Sequence, residues 1–418
     1  MASIAISGAR LLTMALPGDK RTPRRGRDLG MPSVISHGWV HVVDGLIADL
    51  GTGPLPNDIR ATTTVHADGR VVMPALVDCH THACWVGDRS DELIRQFSGG
   101  VSYLDILNEG GGIMATVRAV REAGEEELVD HLLLQLERMA RLGAATIEVK
   151  SGYGLDPETE LKMLRAIATA SRRTSQTIIP TFLGAHALDY DQPNGAKAGV
   201  EAIIHEALPA AAAAFPGIAC DAYCEEGAWS LTDCRRLFEA AQELGCPIRV
   251  HTDQFNSLGM TRLAVEMGAR SVDHLEAITV EDARLLAASE TIGVLLPASG
   301  FCLDDNYTNG RELIDMGVAI ALASNSNPGS AQTTSLPFAL SLACRKCGLH
   351  PYEALVAATY NAACVLDLQD ECGSIEPGKR GDLIMLDTPN EDAWVLDLAS
   401  PGPVGMLLDG RWHDVGWR

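Results

Sequence analysis

The chain has 418 residues, of which 46% are apolar, enough for a large hydrophobic core and more than one domain. Its formal net charge of −22 disfavours nucleic acid and anionic membranes as partners, because phosphate binding requires a basic surface. Eleven cysteines without a regular spacing, together with the lack of an export signal, predict a reduced, cytoplasmic protein.

Short strand patterns separated by Gly, Pro and Asp occupy both ends of the chain. They lie at residues 4–7, 38–43 and 46–50 near the amino terminus, and at 382–386 and 405–412 near the carboxyl terminus. The middle of the chain has a different character. We therefore expect residues 1–70 and 371–418 to pair into one small β-sandwich domain built from both termini.

Strand and helix patterns alternate through residues 71–370. The helical stretches are 122–142, 156–172, 231–244, 260–267 and 280–288. The candidate strands are 71–78, 144–149, 177–183, 218–223, 247–250, 271–273, 291–296 and 318–323. Most are continuous apolar runs, as buried parallel strands should be. Eight such units predict an α/β fold, a (β/α)8 TIM-like barrel, with a doubly wound open sheet as the alternative.

Histidines follow four of these eight strands. His80 and His82 end the first strand, and side chains two apart in an extended strand point to the same face. His186, His251 and His274 follow the third, fifth and sixth strands. A single His-x-His pair is weak evidence, but in a barrel of this kind all five imidazoles would meet at the carboxyl ends of the strands. The set therefore predicts a divalent metal site.

These histidines, with the polar end of the eighth strand, resemble the amidohydrolase superfamily. Finer motifs resemble the imidazolonepropionase family, which carries out the third step of histidine degradation. The most specific of them are Lys150-Ser-Gly-Tyr-Gly154 and Asn327-Pro-Gly-Ser330. The similarity runs through the whole barrel and into the carboxyl-terminal segment.

The resemblance implies hydrolysis of 4-imidazolone-5-propanoate to N-formimino-L-glutamate, with one zinc or iron ion activating water for attack on the ring carbonyl carbon. His80, His82 and His251 would hold the metal, and Asn325 would occupy the fourth ligand position. The fourth strand ends in Tyr-Cys-Glu-Glu without the lysine that bridges two metals in binuclear relatives, so a single metal is favoured. Lys150 is interpreted as structural.

The resemblance also assigns residues to the substrate. Arg89 offers a planar fork for the propanoate carboxylate. His274 is expected to polarise the carbonyl, and Gln254 to bond a ring nitrogen or orient the water. The remaining predicted substrate contacts are Tyr103, Tyr153, His186, Asn327, Gly329 and Ser330.

One residue departs from the family pattern. Asn325 stands where the family places an aspartate that binds the metal or its water and takes the proton. An amide has no useful basicity, and general-base help is worth about 10²–10⁴ in rate. We therefore expect impaired turnover, whether Asn325 is engineered, is replaced by another base such as His274, or marks lost activity.

Two other interpretations stay open. One is a related aminohydrolase or deaminase acting on a guanidine, formimino or aromatic amine substrate; the other is a catalytically disabled binding homologue. The resemblance also suggests a homodimer.

Overall fold

The computed structural model describes residues 3–15, 18, 21–99, 106, 111–189, 195–303 and 305–415. Its strands are β1 (Ser3–Leu12), β2 (Val34–Val43), β3 (Leu46–Thr52), β4 (Thr63–His66), β5 (Val71–Pro74), β6 (Leu76–Asp78), β7 (Ala144–Lys150), β8 (Thr177–Ala185), β9 (Ala219–Cys224), β10 (Arg249–Thr252), β11 (Ser271–His274), β12 (Ile292–Leu295), β13 (Ile320–Leu322), β14 (Leu383–Met385), β15 (Gly405–Leu408) and β16 (Arg411–Asp414).

The helices are α1 (Gly26–Leu29), α2 (Ser90–Phe97), α3 (Ile113–Glu122), α4 (Glu125–Arg141), α5 (Pro157–Ser171), α6 (Gly195–Ala202), α7 (Leu208–Ala214), α8 (Leu231–Glu243), α9 (Met260–Glu266), α10 (Val280–Ala287), α11 (Pro297–Cys302), α12 (Gly310–Met316), α13 (Leu336–Lys346), α14 (Pro351–Ala357), α15 (Tyr360–Val365) and α16 (Glu391–Leu396). A π-helical segment, Ile203–Ala207, joins α6 to α7. None of these helices is long and apolar enough to cross a membrane.

Strands β6 to β13 form the predicted barrel. Each pairs in parallel with the next strand along the chain, and nearly all of their residues are buried. The first and eighth strands meet just beyond their ends through two backbone hydrogen bonds. The backbone N–H of Asn325 donates to the His80 carbonyl at 3.1 Å, and the backbone N–H of His82 donates to the Ser326 carbonyl at 2.9 Å. These bonds close the barrel at its carboxyl face, so the (β/α)8 expectation is confirmed.

The remaining strands form one mixed sheet from both termini, in the order β16-β15-β14-β5-β1-β2-β3, with β4 added alongside β1. Its core is a separate apolar cluster that includes Ile6, Leu11, Val40 and Leu407. The sheet confirms that the two ends of the chain assemble together. The predicted division into residues 1–70 with 371–418 and residues 71–370 stays a proposal, and we propose to move its first boundary beyond β5, which pairs with β1 and β14 in the terminal sheet.

The predicted strand at residues 71–78 is wrong as a single element. Its first half, β5, pairs with β1 and β14 in the terminal sheet, and only its second half, β6, belongs to the barrel. The chain changes sheets at Ala75, whose amide donates to Asp382, while the next amide, of Leu76, donates to Gly143. Both halves are fully buried, so an unbroken apolar pattern does not reveal the change of partner.

The stretch at 405–412 is likewise two strands rather than one. Asp409 and Gly410 both have positive φ, 49° and 70°, and connect β15 to β16 as a two-residue hairpin turn. Asp-Gly is a strong sequence signal for that turn type. The first predicted helix also began too early: α3 ends at Glu122 and α4 begins only at Glu125.

Candidate metal centre and active site

Three buried imidazoles converge at the carboxyl end of the barrel. His80 and His82 follow β6, and His251 lies within β10 on the opposite side of the barrel. One ring nitrogen from each lies within 4.8 Å of the others. The Nε2 atoms of His82 and His251 are 3.1 Å apart, and the His80 and His251 ring centroids are 4.3 Å apart. The predicted metal-ligand histidines are therefore brought together.

The hydrogen bonds of these rings decide which nitrogen faces the centre. His80 Nδ1 lies 2.6 Å from Asp273 Oδ2, and His251 Nδ1 lies 3.0 Å from Asp221 Oδ1. Since each carboxylate accepts a hydrogen bond from Nδ1–H, the lone pair of each ring is on Nε2. Among the described residues, His80 Nε2 is buried without a hydrogen-bond partner.

Burial reinforces this arrangement. It holds the pKa of His80 and of His82 well below the ordinary histidine value, so both rings are neutral at physiological pH. Neutral imidazoles with unused lone pairs are ligands for zinc or iron. The orphaned Nε2 atom and this donor set fit a divalent metal, which His80, His82 and His251 would hold.

Two further predicted histidines face the same cluster. The His186 ring stacks on His82 with centroids 4.7 Å apart, and its Nδ1 donates to the Gly152 carbonyl at 2.8 Å. The His274 ring centroid lies 5.8 Å from that of His251. His274 and Leu275 adopt φ values of 93° and 74°, which non-glycine residues rarely adopt. Such strain persists only where surrounding structure fixes it, and it is frequent at active sites.

Asn325 lies just beyond the eighth strand, where that strand meets the first strand of the barrel. Its backbone adopts φ 54°, a conformation that asparagine tolerates. The residue is 2% exposed, and its Oδ1 has no hydrogen-bond partner among the residues that the structure describes. A buried amide oxygen without a partner is costly unless a ligand or water satisfies it.

Gln254 is held from both sides. Its Oε1 accepts from the Tyr223 hydroxyl at 2.9 Å, and its Nε2 donates to Ser299 Oγ at 3.2 Å. The Tyr223 ring in turn lies 6.0 Å from His251 between centroids. Gln254 is therefore near the cluster with its orientation fixed.

Arg89 and the turn at residues 327–330 lie against each other. The Arg89 side chain is 8% exposed, and its Nε donates to Glu92 at 2.8 Å. A methyl group built on Gly329 would overlap Arg89 Nη1 and lie 3.2 Å from Cζ. Asn327 Oδ1 accepts from the amides of Gly329 and Ser330, at 2.8 and 2.7 Å, so Asn327 shapes the turn from within.

The two predicted tyrosines differ in what the structure says of them. Tyr153 is 3% exposed and lies 5.3 Å from His186 and 6.1 Å from His82, between ring centroids. Tyr103 lies outside the described residues.

Sequence reasoning missed the roles of two inward-facing charges. Asp221 lies in the middle of the apolar strand β9 and orients His251; burial would raise the pKa of Asp221, but His251 and Lys150 hold it well below its ordinary value. Arg249 is two residues before His251 on β10, so both side chains point into the barrel. The available signal was a charged residue inside a strand predicted to be fully buried.

The barrel, with three histidines at its mouth that could hold a metal ion, has the arrangement of a hydrolase of the amidohydrolase class. The family model described as "Amidohydrolase family" matches residues 71–413. Two imidazolonepropionases are similar over nearly the whole chain. That of Symbiobacterium thermophilum is 41% identical over 395 residues, covering 92% of this chain and 91% of its own. That of Rubrobacter xylanophilus is 44% identical over 372 residues, covering 88% and 89%. The chain belongs to the amidohydrolase family and, within it, to the imidazolonepropionases, which are C–N hydrolases.

Solved structures agree on the fold. The 5-methylcytosine deaminase of Klebsiella pneumoniae bound to 5-fluorocytosine superposes with a TM-score of 0.75 at 17% identity, covering 98% of this chain and 96% of that one. A triazine hydrolase variant gives a TM-score of 0.76 at 14% identity, covering 98% and 94%.

Proposed function

We propose that the protein hydrolyses 4-imidazolone-5-propanoate to N-formimino-L-glutamate, using one zinc or iron ion. The observation that carries the proposal is the convergence of His80, His82 and His251, with an unsatisfied Nε2 on His80. In the reaction, the oxygen of water adds to the ring carbonyl carbon and the adjacent ring C–N bond breaks. The carbon becomes a carboxylate, and the departing nitrogen takes a proton. A bound divalent metal supplies a Lewis acid for this chemistry.

Arg89 suits the propanoate group of that substrate. Its guanidinium is largely buried, so a carboxylate that reaches it makes a charge-assisted hydrogen bond away from bulk water. Glu92 occupies Nε at 2.8 Å and sets the direction of the fork. Gly329 leaves room for the guanidinium beside the turn. Asn327 and Ser330 support the position of Arg89 by fixing that turn.

The imidazolone ring would lie between the histidines and the aromatic wall. His274 faces the cluster and can polarise the carbonyl oxygen. Tyr153 and His186 lie beside each other next to His82 and can contact the imidazolone ring. Gln254, held by Tyr223 and Ser299, can donate to the ring or orient water.

Proton transfer is the step that the residues of this site support least. Neither Asn325 nor Gln254 carries a side chain that takes a proton at neutral pH, because amides lack useful basicity. His274, which faces the cluster, is the group to which we assign proton transfer. We propose that substrate binding is retained and turnover is slow, and that Asn325 is the main cause.

The proposal is tested by loading the protein with zinc or iron and following loss of imidazolone absorbance together with formation of the formimino product. Guanine, cytosine and a formimino amino acid serve as competing substrates. Slow but measurable conversion of the imidazolone, without release of ammonia from the others, is expected. Ammonia release from an aromatic amine would instead support an aminohydrolase, and binding without conversion would support a disabled homologue.

Two further properties are proposed. All eleven cysteines are free thiols, which fits a reducing compartment such as the cytoplasm. A homodimer is expected from the resemblance, and the mass in solution measures it.

A further inference from the structure

A charged network lies in the barrel interior beside the histidine cluster, and Glu148 is at its middle. Glu148 Oε1 accepts from Lys150 Nζ at 2.6 Å and from Arg249 Nη1 at 3.1 Å. Its other oxygen accepts the Thr81 amide at 3.1 Å. All three charged side chains are at most 1% exposed. One carboxylate oxygen therefore joins two buried cations.

Each cation continues to a carboxylate that orients a histidine. On one arm, Lys150 Nζ lies 2.8 Å from Asp221 Oδ2, and the other oxygen of Asp221 lies 3.0 Å from His251 Nδ1. His251 is one of the three metal-ligand candidates, so this arm fixes the direction of its lone pair.

The second arm reaches the opposite side of the cluster. Arg249 Nη2 lies 3.0 Å from Asp273 Oδ2, which is also the oxygen 2.6 Å from His80 Nδ1. The unbroken chain of contacts runs through His80, Asp273, Arg249, Glu148, Lys150, Asp221 and His251.

The charges of this network also suit a cation. Buried charges are tolerated only when paired, and each cation here has two carboxylate partners. Three carboxylates against two cations leave one net negative charge next to the neutral imidazoles. A divalent ion held by the histidines would be stabilised by that excess charge. Neutralising Glu148 would remove this excess negative charge and leave each cation with one carboxylate partner, Asp221 for Lys150 and Asp273 for Arg249.

We propose that Glu148 is a positioning residue of the metal centre, which fixes the orientations of His80 and His251 together through Arg249 and Lys150. The inference rests on the proposed metal site. It assigns a role to the second strand of the barrel, although no residue of that strand is among the metal ligands. Because one carboxylate serves both arms, its loss loosens two ligands at once.

The test is the Glu148→Gln variant, which keeps the size of the side chain and removes its charge. Zinc affinity is measured by competition with a chelator, and the ligand field by the visible absorption bands of the cobalt(II)-substituted protein. We expect zinc binding to weaken by about 10-fold, the lower end of the 10–100-fold that is typical for outer partners of metal ligands. The cobalt bands should shift or broaden.

The matched control is Glu391→Gln. Glu391 is also a buried carboxylate, 2% exposed and 2.6 Å from Arg10, but it lies on α16 outside the barrel. This variant loses the same charge and should keep wild-type zinc affinity and cobalt bands. If Glu148→Gln does not fold, Glu148→Asp replaces it, with a smaller effect of the same sign expected.

Wild-type affinity and wild-type cobalt bands in the Glu148 variant would overturn the proposal. Equal losses in the Glu148 and Glu391 variants would also overturn it, because they would indicate general destabilisation. A wild-type protein that binds zinc but does not convert imidazolone propanoate would refute the proposed reaction and leave the role of Glu148 to be decided by the affinities. A wild-type protein that binds no zinc would refute both.

Discussion

The Nε2 atoms of His82 and His251 lie 3.1 Å apart in the buried centre of the barrel mouth. His251 Nδ1 donates to Asp221, so His251 presents a lone pair at Nε2. The Nε2 atom of His82 faces this lone pair with either a proton or a lone pair of its own. The Nδ1 atom of His82 has no partner among the described residues. Neither tautomer satisfies both nitrogens of His82 within the protein. A cation shared by the two rings would bind the Nε2 lone pair of each.

Metal removal should therefore lower thermal stability. A ligand that binds only the folded state stabilises it by about 2.7 kcal/mol at 100 times its Kd. For a chain of 418 residues we expect zinc at that level to raise the unfolding temperature of the chelator-treated protein by about 3 °C. Differential scanning fluorimetry measures the shift. Magnesium, which prefers oxygen ligands, is the control and should produce none. An equal shift with both ions would argue against an imidazole site.

Replacing Asn325 with aspartate should restore a general base. We expect kcat of the zinc-loaded Asn325→Asp variant to rise by about 10²–10⁴ over wild type, because proton transfer to a positioned base is worth that much. KM should change little, since Arg89 and the turn are untouched. Steady-state assays of imidazolone loss check both constants. Unchanged kcat would mean that another residue already accepts the proton.

Gly329→Ala should displace Arg89. A Cβ there overlaps the guanidinium, and Gly329 is not among the glycines with positive φ, so the backbone itself accepts alanine. A hydrogen bond to a charged group is worth about 1.5–3 kcal/mol, so we expect KM to rise about 10-fold or more. The matched control is Gly124→Ala, where nothing lies within 4 Å of the added methyl. Equal KM values in the two variants would remove Arg89 from the substrate site.

The metal-free protein should lose stability as the pH falls below 6.5. Burial lowers the pKa of His186 from 6.5 to about 3, whereas in the unfolded chain the ring titrates near 6.5. The unfolded state therefore binds more protons between these two pH values. The contribution of His186 to the free energy of unfolding is fully present above pH 6.5 and declines as the pH falls toward 3. His82 contributes with the same sign. Urea unfolding of wild type and His186→Asn at pH 7.5 and 5.5 measures the slope, which should be shallower in the variant.

The barrel and its histidines could be predicted from the sequence because buried parallel strands are continuous apolar runs. A histidine that directly follows such a run is easily recognised. The same pattern failed at residues 71–78, where the apolar run continues while the strand changes sheets at Ala75. Pairing is a property of neighbours that are distant in the chain, and periodicity does not report it.

The second strand shows the same limit for the site. The sequence pattern indicates only a structural role for Lys150 and does not single out Arg249. Lys150 and Glu148 lie two residues apart on β7, but Arg249 is 101 residues from Glu148 in the chain. The contact between Arg249 and Glu148 exists only because β7 and β10 face each other inside a closed barrel. Charge inside an apolar strand marks such residues, but the partner of each one becomes visible only in three dimensions.

The proposed chemistry requires that His80, His82 and His251 hold one divalent metal. The most direct measurement is metal stoichiometry, determined by elemental analysis of the zinc-reconstituted protein after removal of free metal, for wild type and for His251→Asn. We predict one zinc per chain in the wild type and a loss of most of it in the variant, with both proteins folded by circular dichroism. Retention of one zinc per chain in His251→Asn, or none in the wild type, would show that these three histidines do not form the metal site.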